Sequence, residues 1–274
     1  MISFWKLFIF VFLVLHCGCR FNSNQEVKVY RGGQLVEQYQ VDSAGARHGF
    51  YKAFYANGKD SVWSNFDCGK EDGVKVFFDK RGAVEKIMQL KNGELEQKVV
   101  TLRDGGLNQI ASFKDGKFNG INYLFYENGM LEKIYFADDT VVSGPQYSYF
   151  DNGILGRFDF IYAGEVVYSE TFDKSGALST REGYSIGGVK EYVGKGVIDS
   201  MVFSFVQPPG TNNLISVIEF DKSRCDTIFS AWDVSNYSLK HLDTLRNIKV
   251  VARIVDISRD ESFESDMVLN LKKK

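Results

Sequence analysis

The sequence predicts an all-β protein: an elongated antiparallel meander of stacked β-hairpin repeats followed by a small β-sandwich-like domain. Three observations predict this fold. A Gly recurs every 23 to 25 residues through the first two thirds of the chain, and no segment there has the spacing of an amphipathic helix. The last third alternates apolar and polar residues over short runs. We divide the chain into residues 1–18, 19–26, 27–188 and 189–274.

The first division, residues 1–18, has the features of a secretory signal peptide. Residues 2–15 contain a single charge, and their apolar run is shorter than the ~20 residues that cross a bilayer. A Cys directly after such a run resembles the bacterial lipoprotein signal, in which that Cys receives the lipid. The resemblance favours Cys19, because the small Gly18 precedes it, and leaves Cys17 as the alternative. A plain signal anchor or an ordinary secreted protein is the competing interpretation.

Residues 19–26 are mostly polar and fit a tether between a lipid and a folded domain. Attachment through more than one acyl chain holds a protein stably on a membrane. We therefore expect a lipid-anchored protein of the bacterial cell envelope, with the outer membrane as the favoured location.

Seven glycines mark one turn of each repeat in residues 27–188. They are Gly33, Gly58, Gly82, Gly106, Gly129, Gly153 and Gly176. The residue four positions before each of them is apolar or aromatic: Val29, Phe54, Phe78, Leu102, Phe125, Tyr149 and Phe172. The pairs Asn57-Gly58, Asn128-Gly129 and Asn152-Gly153 predict type I′ turns, in which both central residues have positive φ.

A second turn follows ten to twelve residues after the first. It reads Ala44-Gly45, Cys68-Gly69, Asn92-Gly93, Asp115-Gly116, Asp138-Asp139 and Ala163-Gly164. Each repeat therefore consists of two strands and two turns, and the array forms a meander of about a dozen strands of ordinary length.

The many aromatic residues have two interpretations. A single sheet has no second layer, so rings that pack across neighbouring strands must supply its core, and we favour this interpretation. Alternatively, part of the aromatic set stays exposed as a binding face. The candidate binding residues lie three positions before the turn glycine, where alternation points them to the opposite face: Tyr30, Tyr55, Tyr126 and Phe150.

Three segments resemble the bacterial variant of the MORN repeat, whose pattern is Gly, a short gap, paired aromatics and Asn-Gly. They are residues 49–58, 120–129 and 144–153, and the weaker resemblance covers residues 24 to about 180. Asn24, Gln97 and Val167 replace the opening Gly in other repeats. The resemblance implies stacked hairpins and little about activity. Relatives are often labelled antitoxin-like, and MORN arrays elsewhere are regarded as scaffolds or membrane-associated modules.

After Gly188 the period stops. The remaining β-rich runs predict five or more strands of a small β-sandwich in residues 189–274. They are residues 201–206, 214–220, 227–232, 248–257 and 263–271. Residues 234–247 fit either a long loop or one more strand.

The sequence lacks the common catalytic and nucleotide-binding motifs, so we expect neither an enzyme nor a cofactor. We expect no metal site and favour separate thiols for Cys68 and Cys225 over a disulfide. The formal net charge of −2 argues against a nucleic-acid partner. The expected function is a non-enzymatic scaffold or protein-interaction surface. The alternatives are a carbohydrate- or peptidoglycan-binding module and an antitoxin- or immunity-like partner of another protein.

The lipidation hypothesis predicts that metabolic labelling with a palmitate analogue marks the protein and that Cys19→Ala abolishes the label. Cys17→Ala is the matched control and should keep the label. Label that survives Cys19→Ala but not Cys17→Ala would move the lipid to Cys17, and an unlabelled wild type would contradict the anchor.

Overall fold

The structure is a computed structural model that describes residues 24–194, 197–220, 225–240, 247–256 and 258–270. It confirms the all-β fold, since every regular element in these ranges is a strand. No helix in the described ranges is long and apolar enough to cross a membrane. The proposed signal peptide, Cys17 and Cys19 lie outside them.

Sixteen strands form the repeat sheet. Their bounds are β1 Gln25–Arg31, β2 Gln34–Val41, β3 Arg47–Phe54, β4 Asp60–Asp67, β5 Lys70–Glu71, β6 Gly73–Phe78, β7 Val84–Lys91, β8 Glu94–Arg103, β9 Gly106–Lys114, β10 Lys117–Phe118, β11 Gly120–Phe125, β12 Leu131–Asp138, β13 Val141–Tyr149, β14 Leu155–Tyr162, β15 Glu165–Phe172 and β16 Leu178–Gly183. Fourteen of them pair in chain order, while β5 adds to β4 and β10 to β9. The sheet is thus the predicted antiparallel meander, and it already includes the last two residues of the expected tether.

Seven further strands form the C-terminal part. Their bounds are β17 Ile186–Gly194, β18 Val197–Phe205, β19 Asn212–Phe220, β20 Cys225–Trp232, β21 Asn236–Lys240, β22 Asn247–Asp256 and β23 Glu261–Asn270. They make one sheet in the order β17-β18-β21 and another in the order β20-β19-β22-β23. Buried residues of both sheets, such as Phe203 and Val250, share one hydrophobic core. This is the predicted small sandwich, and β21 lies in the segment that the sequence left ambiguous.

The Asn-Gly turns differ from the prediction. At Tyr55–Gly58 the Gly58 amide donates to the Tyr55 carbonyl at 2.9 Å, and the Tyr55 amide donates to the Lys59 carbonyl at 2.8 Å. Only Gly58 has a positive φ. These features define a three-residue loop, a type I turn followed by a bulge at a left-handed Gly. The same arrangement recurs at 42–45, 79–82, 126–129, 150–153 and 173–176. The type I′ prediction is therefore wrong for Asn57-Gly58, Asn128-Gly129 and Asn152-Gly153.

The type I′ turns lie mostly at the opposite edge of the sheet. Both central residues have positive φ in these pairs: Gly32-Gly33, Cys68-Gly69, Asn92-Gly93, Asp104-Gly105, Asp115-Gly116, Asp139-Thr140 and Ala163-Gly164. Two of the seven, Gly32-Gly33 and Asp104-Gly105, lie instead at the edge of the sheet that carries the period glycines. A two-residue turn takes the place of the three-residue loop there. Gly106 therefore opens a strand rather than occupying the turn.

The opening Gly of the repeat pattern has a structural reason. Gly49, Gly73, Gly120 and Gly144 all have φ between 84° and 109°, a region that L-residues rarely adopt. Gln97, which replaces this Gly in one repeat, also has a positive φ of 68°. The backbone thus keeps the same bend at Gln97, although the sequence departs from the pattern there.

Register places one residue of each of the fourteen strands that pair in chain order in a continuous row across the sheet. Directly paired residues share a face of the sheet. The row reads Lys28, Gln38, Lys52, Trp63, Val76, Ile87, Val100, Ile110, Tyr123, Ile134, Tyr147, Phe158, Glu170 and Arg181. Its middle is apolar without a break. We call this side the apolar face and the other side, where Lys86 pairs with Thr101 and Lys133 with Ser148, the mixed face.

The C-terminal sandwich covers the last strands of the apolar face. Phe158 and Tyr168 of the repeat sheet pack with Val206 and Ile254 in one buried cluster. The Tyr168 ring also meets Phe263 edge-on, with centroids 5.9 Å apart. The two parts of the chain therefore share a hydrophobic core.

An ion pair closes this interface. Arg181 donates from Nε to Glu170 Oε1 at 2.8 Å, and the Tyr168 hydroxyl donates to the same oxygen at 2.8 Å. The second arm of Arg181 lies 3.5 Å from Glu261 of the sandwich. Burial, and then the Glu170 charge, raises the pKa of Tyr168, so its hydroxyl stays a donor.

The turn geometry predicts unequal effects for two glycines of the period. Gly129→Ala should destabilise the sheet by about 1–2 kcal/mol, because a β-carbon disfavours its φ of +81°. Gly106→Ala should change stability by less than about 0.5 kcal/mol, since Gly106 does not have a positive φ. Urea unfolding measures both variants, and equal losses would contradict the turn assignment.

Candidate functional site

The four predicted binding residues occupy different environments. Tyr30 lies inside β1 and is 58% exposed. Tyr55, Tyr126 and Phe150 are half-buried, and each begins a loop just after a strand ends. Alternation between faces stops where a strand stops, so it does not determine the direction of these three rings.

Tyr55 and Tyr126 connect consecutive repeats. The Tyr55 hydroxyl donates to the Phe78 carbonyl at 2.6 Å, and the Tyr126 hydroxyl donates to the Tyr149 carbonyl at 2.7 Å. Each bond spans 23 residues, about one repeat. The two tyrosines therefore stabilise the edge of the sheet that carries these turns, and their hydroxyls already donate hydrogen bonds within the protein.

The asparagines of the loops have the same role. Asn57 Nδ2 donates to the Lys80 carbonyl and Asn128 Nδ2 to the Asp151 carbonyl, both at 2.9 Å. The Oδ1 of Asn128 also accepts from its own loop, from the Met130 amide at 3.0 Å. Asn is thus favoured here because its amide joins two turns. We call these links between consecutive turns the turn ladder.

Ion pairs replace these links in the middle of the turn ladder. Arg81 lies 2.8 Å from Asp104, and Arg103 lies 3.8 Å from Glu127. All four side chains are exposed, and exposed ion pairs contribute about 1 kcal/mol or less. These arginines can exchange their partners for a ligand far more easily than Tyr55 or Tyr126 can.

A groove lies at this irregular repeat. Its largest depression has a volume of about 590 Å³, and two neighbouring depressions measure about 400 and 330 Å³. Arg103 and Asn108 line all three. The two-residue turn at Asp104-Gly105 is shorter than the three-residue loops on either side, and it borders the groove.

The groove combines a ring with polar groups of both charges. Tyr126 and Leu124 provide apolar surface, while Glu132 and Asp151 add carboxylates. Burial raises the pKa of Tyr126, and the two carboxylates raise it further, which keeps its hydroxyl protonated. Such a surface suits a polar ligand that hydrogen-bonds with side chains and stacks on a ring. The repeat pattern indicates Tyr126 but not Asn108, because only the fold brings the two residues together.

His48, Asp67 and Cys68 form a second cluster. Their potential ligand atoms lie within 4.8 Å of one another, and the His48 ring nitrogen is 3.3 Å from Asp67. Cys68 is disulfide-bonded, which contradicts the expectation of a separate thiol. A disulfide sulfur is neither a thiolate ligand nor a nucleophile, so the cluster supports neither a metal centre nor a catalytic pair.

No family model matches the chain, and no curated protein matches it either. The MORN resemblance therefore stays a resemblance of sequence pattern.

The Tyr links predict a stability difference between two tyrosines. Tyr126→Phe should lower the free energy of unfolding by about 0.5–1.5 kcal/mol, since it removes one interturn hydrogen bond and keeps the ring. Tyr30→Phe, on the exposed ring, should have almost no effect. Urea unfolding measures both, and a Tyr126→Phe variant as stable as wild type would argue against the link.

Proposed function

We propose that the protein is a non-enzymatic lipoprotein of the bacterial cell envelope, anchored through Cys19, whose repeat sheet binds another protein. The observation that carries the binding role is the groove at Arg103 and Asn108, where the turn ladder is held by exposed ion pairs. The outer membrane is the proposed location, on the basis of the lipoprotein-like N-terminal sequence.

The irregularity of the repeat supports this role for the groove. Neighbouring repeats fill the space between turns with the Tyr hydroxyls and Asn amides of the ladder. At the groove, Arg103 stands three residues before the turn glycine, where three other repeats have a half-buried ring. A guanidinium there forms directional bonds with a carboxylate or carbonyl of a partner.

The side chains of the groove suit the binding of a polar partner. The residues that line it include Arg, Asn and several carboxylates, which can donate hydrogen bonds to a partner and accept them from it.

A carbohydrate, such as the glycan of peptidoglycan, is the second candidate ligand. The specific observation in its favour is the Tyr126 ring beside Asn108, Glu132 and Asp151. An aromatic ring next to planar polar side chains can stack on a sugar and hydrogen-bond its hydroxyls.

The proposal predicts that a photo-cross-linking residue at Asn108 gives a discrete protein adduct in whole cells. The matched control is Lys114, which is exposed at the other end of the same strand. We expect the adduct at Asn108 to exceed that at Lys114 at least ~5-fold, and Arg103→Glu to abolish it by reversing the charge in the groove.

The outcomes separate the two candidates. Equal adducts at both positions, or an adduct that Arg103→Glu does not change, would contradict protein binding at the groove. Co-sedimentation with purified peptidoglycan that is lost in Arg103→Glu, without any protein adduct, would instead assign the groove to a glycan.

A further inference from the structure

A guanidinium on the mixed face is held in place by a buried carboxylate. Arg157 and Asp159 lie two residues apart on β14, so they share one face of the sheet. Arg157 Nε donates to both carboxylate oxygens of Asp159, each at 2.8 Å. The Asp159 side chain is 4% exposed, whereas the Arg157 side chain is 49% exposed. The two Nη nitrogens of Arg157 have no hydrogen-bond partner among the described residues, so a ligand can reach them.

Three neutral side chains lead to Asp159 along its own row of the mixed face. The directly paired residues on the preceding strands are Asn122, Tyr135 and Gln146. The sheet therefore does not itself require a carboxylate in this row, and desolvating one is unfavourable. Gln146 Nε2 donates to Asp159 at 3.3 Å and helps to fix the carboxylate. What the buried Asp159 provides is a fixed orientation for the guanidinium of Arg157.

A second cation, Lys133, lies in the same row as Arg157. Lys133 pairs directly with Ser148, and Ser148 pairs directly with Arg157. The Cα atoms of Lys133 and Arg157 are therefore about 10 Å apart, twice the spacing of strands. Both side chains are longer than half of that separation, so their charged ends can meet one small group above Ser148. The row thus combines a guanidinium, a hydroxyl and an ammonium on three neighbouring strands.

No carboxylate stands next to these two cations within the row. The other direct neighbour of Lys133 is Leu124, and the other direct neighbour of Arg157 is Thr171. Lys133 makes no ion pair with any residue that the structure describes. The chain as a whole has a net charge of −2, so this part of the mixed face is a local basic region. Such a region attracts an anion.

We propose that Arg157, Ser148 and Lys133 form a binding site for the phosphate group of a phosphomonoester. The two Nη nitrogens of the guanidinium can donate to two oxygens of one phosphate. A phosphomonoester has a third terminal oxygen, which accepts from the ammonium and the hydroxyl. A phosphodiester, as in a lipid headgroup, has only two terminal oxygens and leaves none for these donors. This inference is independent of the groove and of the proposed function.

The repeat supplies a matched control for Lys133. Lys86 and Lys133 each stand four residues after a glycine of the period, and register places them in the same row of the mixed face. They are four strand spacings apart, or about 19 Å, so Lys86 cannot reach a phosphate above Ser148. Its direct neighbours are Phe77 and Thr101, neither of which is charged. Lys86 thus matches Lys133 in charge, face and repeat position but lies outside the site.

Isothermal titration calorimetry tests the site with glycerol 3-phosphate and the purified full-length chain, in nonionic detergent at low ionic strength. We expect one molecule to bind per chain, with a dissociation constant on the order of 1 mM or below. Lys133→Gln should weaken binding at least ~10-fold, and Lys86→Gln should change it less than ~2-fold. Arg157→Lys keeps the charge but loses the planar fork, so it should weaken binding at least ~5-fold. Circular dichroism should show all three variants folded.

A soluble phosphodiester separates the two kinds of phosphate. Glycerophosphoglycerol, a lipid headgroup without its acyl chains, should bind at least ~10-fold more weakly than glycerol 3-phosphate, because it lacks the third terminal oxygen. A diester that binds as tightly as the monoester overturns the proposal and assigns the cations to a headgroup. No binding of glycerol 3-phosphate, equal losses in Lys86→Gln and Lys133→Gln, or full binding in Arg157→Lys also overturns it.

Discussion

The repeat sheet depends on one constraint: it must bury its side chains within a single layer. A sandwich buries an inner face between two sheets, but here only the last strands of one face meet a second layer. The remaining side chains find their apolar contacts on adjacent strands of the same sheet. The Trp63 and Phe78 rings, 4.8 Å apart in an edge-on arrangement, show this packing. Large side chains in every strand are therefore a requirement of the architecture.

This packing works only if the register is the same in every repeat. Since a slip of one residue moves a side chain to the other face, the row through Ile87 and Ile110 requires turns of defined geometry. The three-residue loops provide it at one edge. At the other edge, the turn amides of Gly69 and Gly93 donate to carbonyls of the preceding repeat, those of Arg47 and Glu71, at 2.8 and 2.7 Å. Hydrogen bonds between turns at both edges of the sheet thus link consecutive repeats, in addition to the chain connections between strands.

The sequence was sufficient to predict the fold class and most turn positions, because a turn glycine and its apolar partner four residues earlier repeat visibly. It was insufficient for the turn types. Asn-Gly fits both a type I′ turn and the end of a three-residue loop, and the backbone of Asn128-Gly129 adopts the second. The choice depends on which flanking residues pair, and pairing is a property of the sheet.

The candidate site was predictable only in part. Tyr126 was named because it recurs in the repeat, but its bond to Tyr149 depends on the next turn. Asn108 carries no recognisable signal in the sequence, since only the folded sheet brings it beside Arg103 and Tyr126. Likewise, the disulfide at Cys68 could not be read from the spacing of the cysteines.

Charge at both ends of the central row limits where the apolar face can make contacts. Lys28 and Lys52 begin the row, and the Glu170–Arg181 pair ends it beneath the sandwich. The free edge strand β1 is also mostly polar and charged, which discourages another chain from adding to the sheet. The exposed apolar residues of the central row therefore lie in the middle strands, and the polar edge strand does not favour pairing with a further strand. The groove lies at the edge of these strands that carries the turns. In this repeat Arg103 occupies the position three residues before the period glycine, where the other repeats have an aromatic or acidic residue. The regular repeats therefore present a uniform surface, and this irregular repeat presents a distinct one.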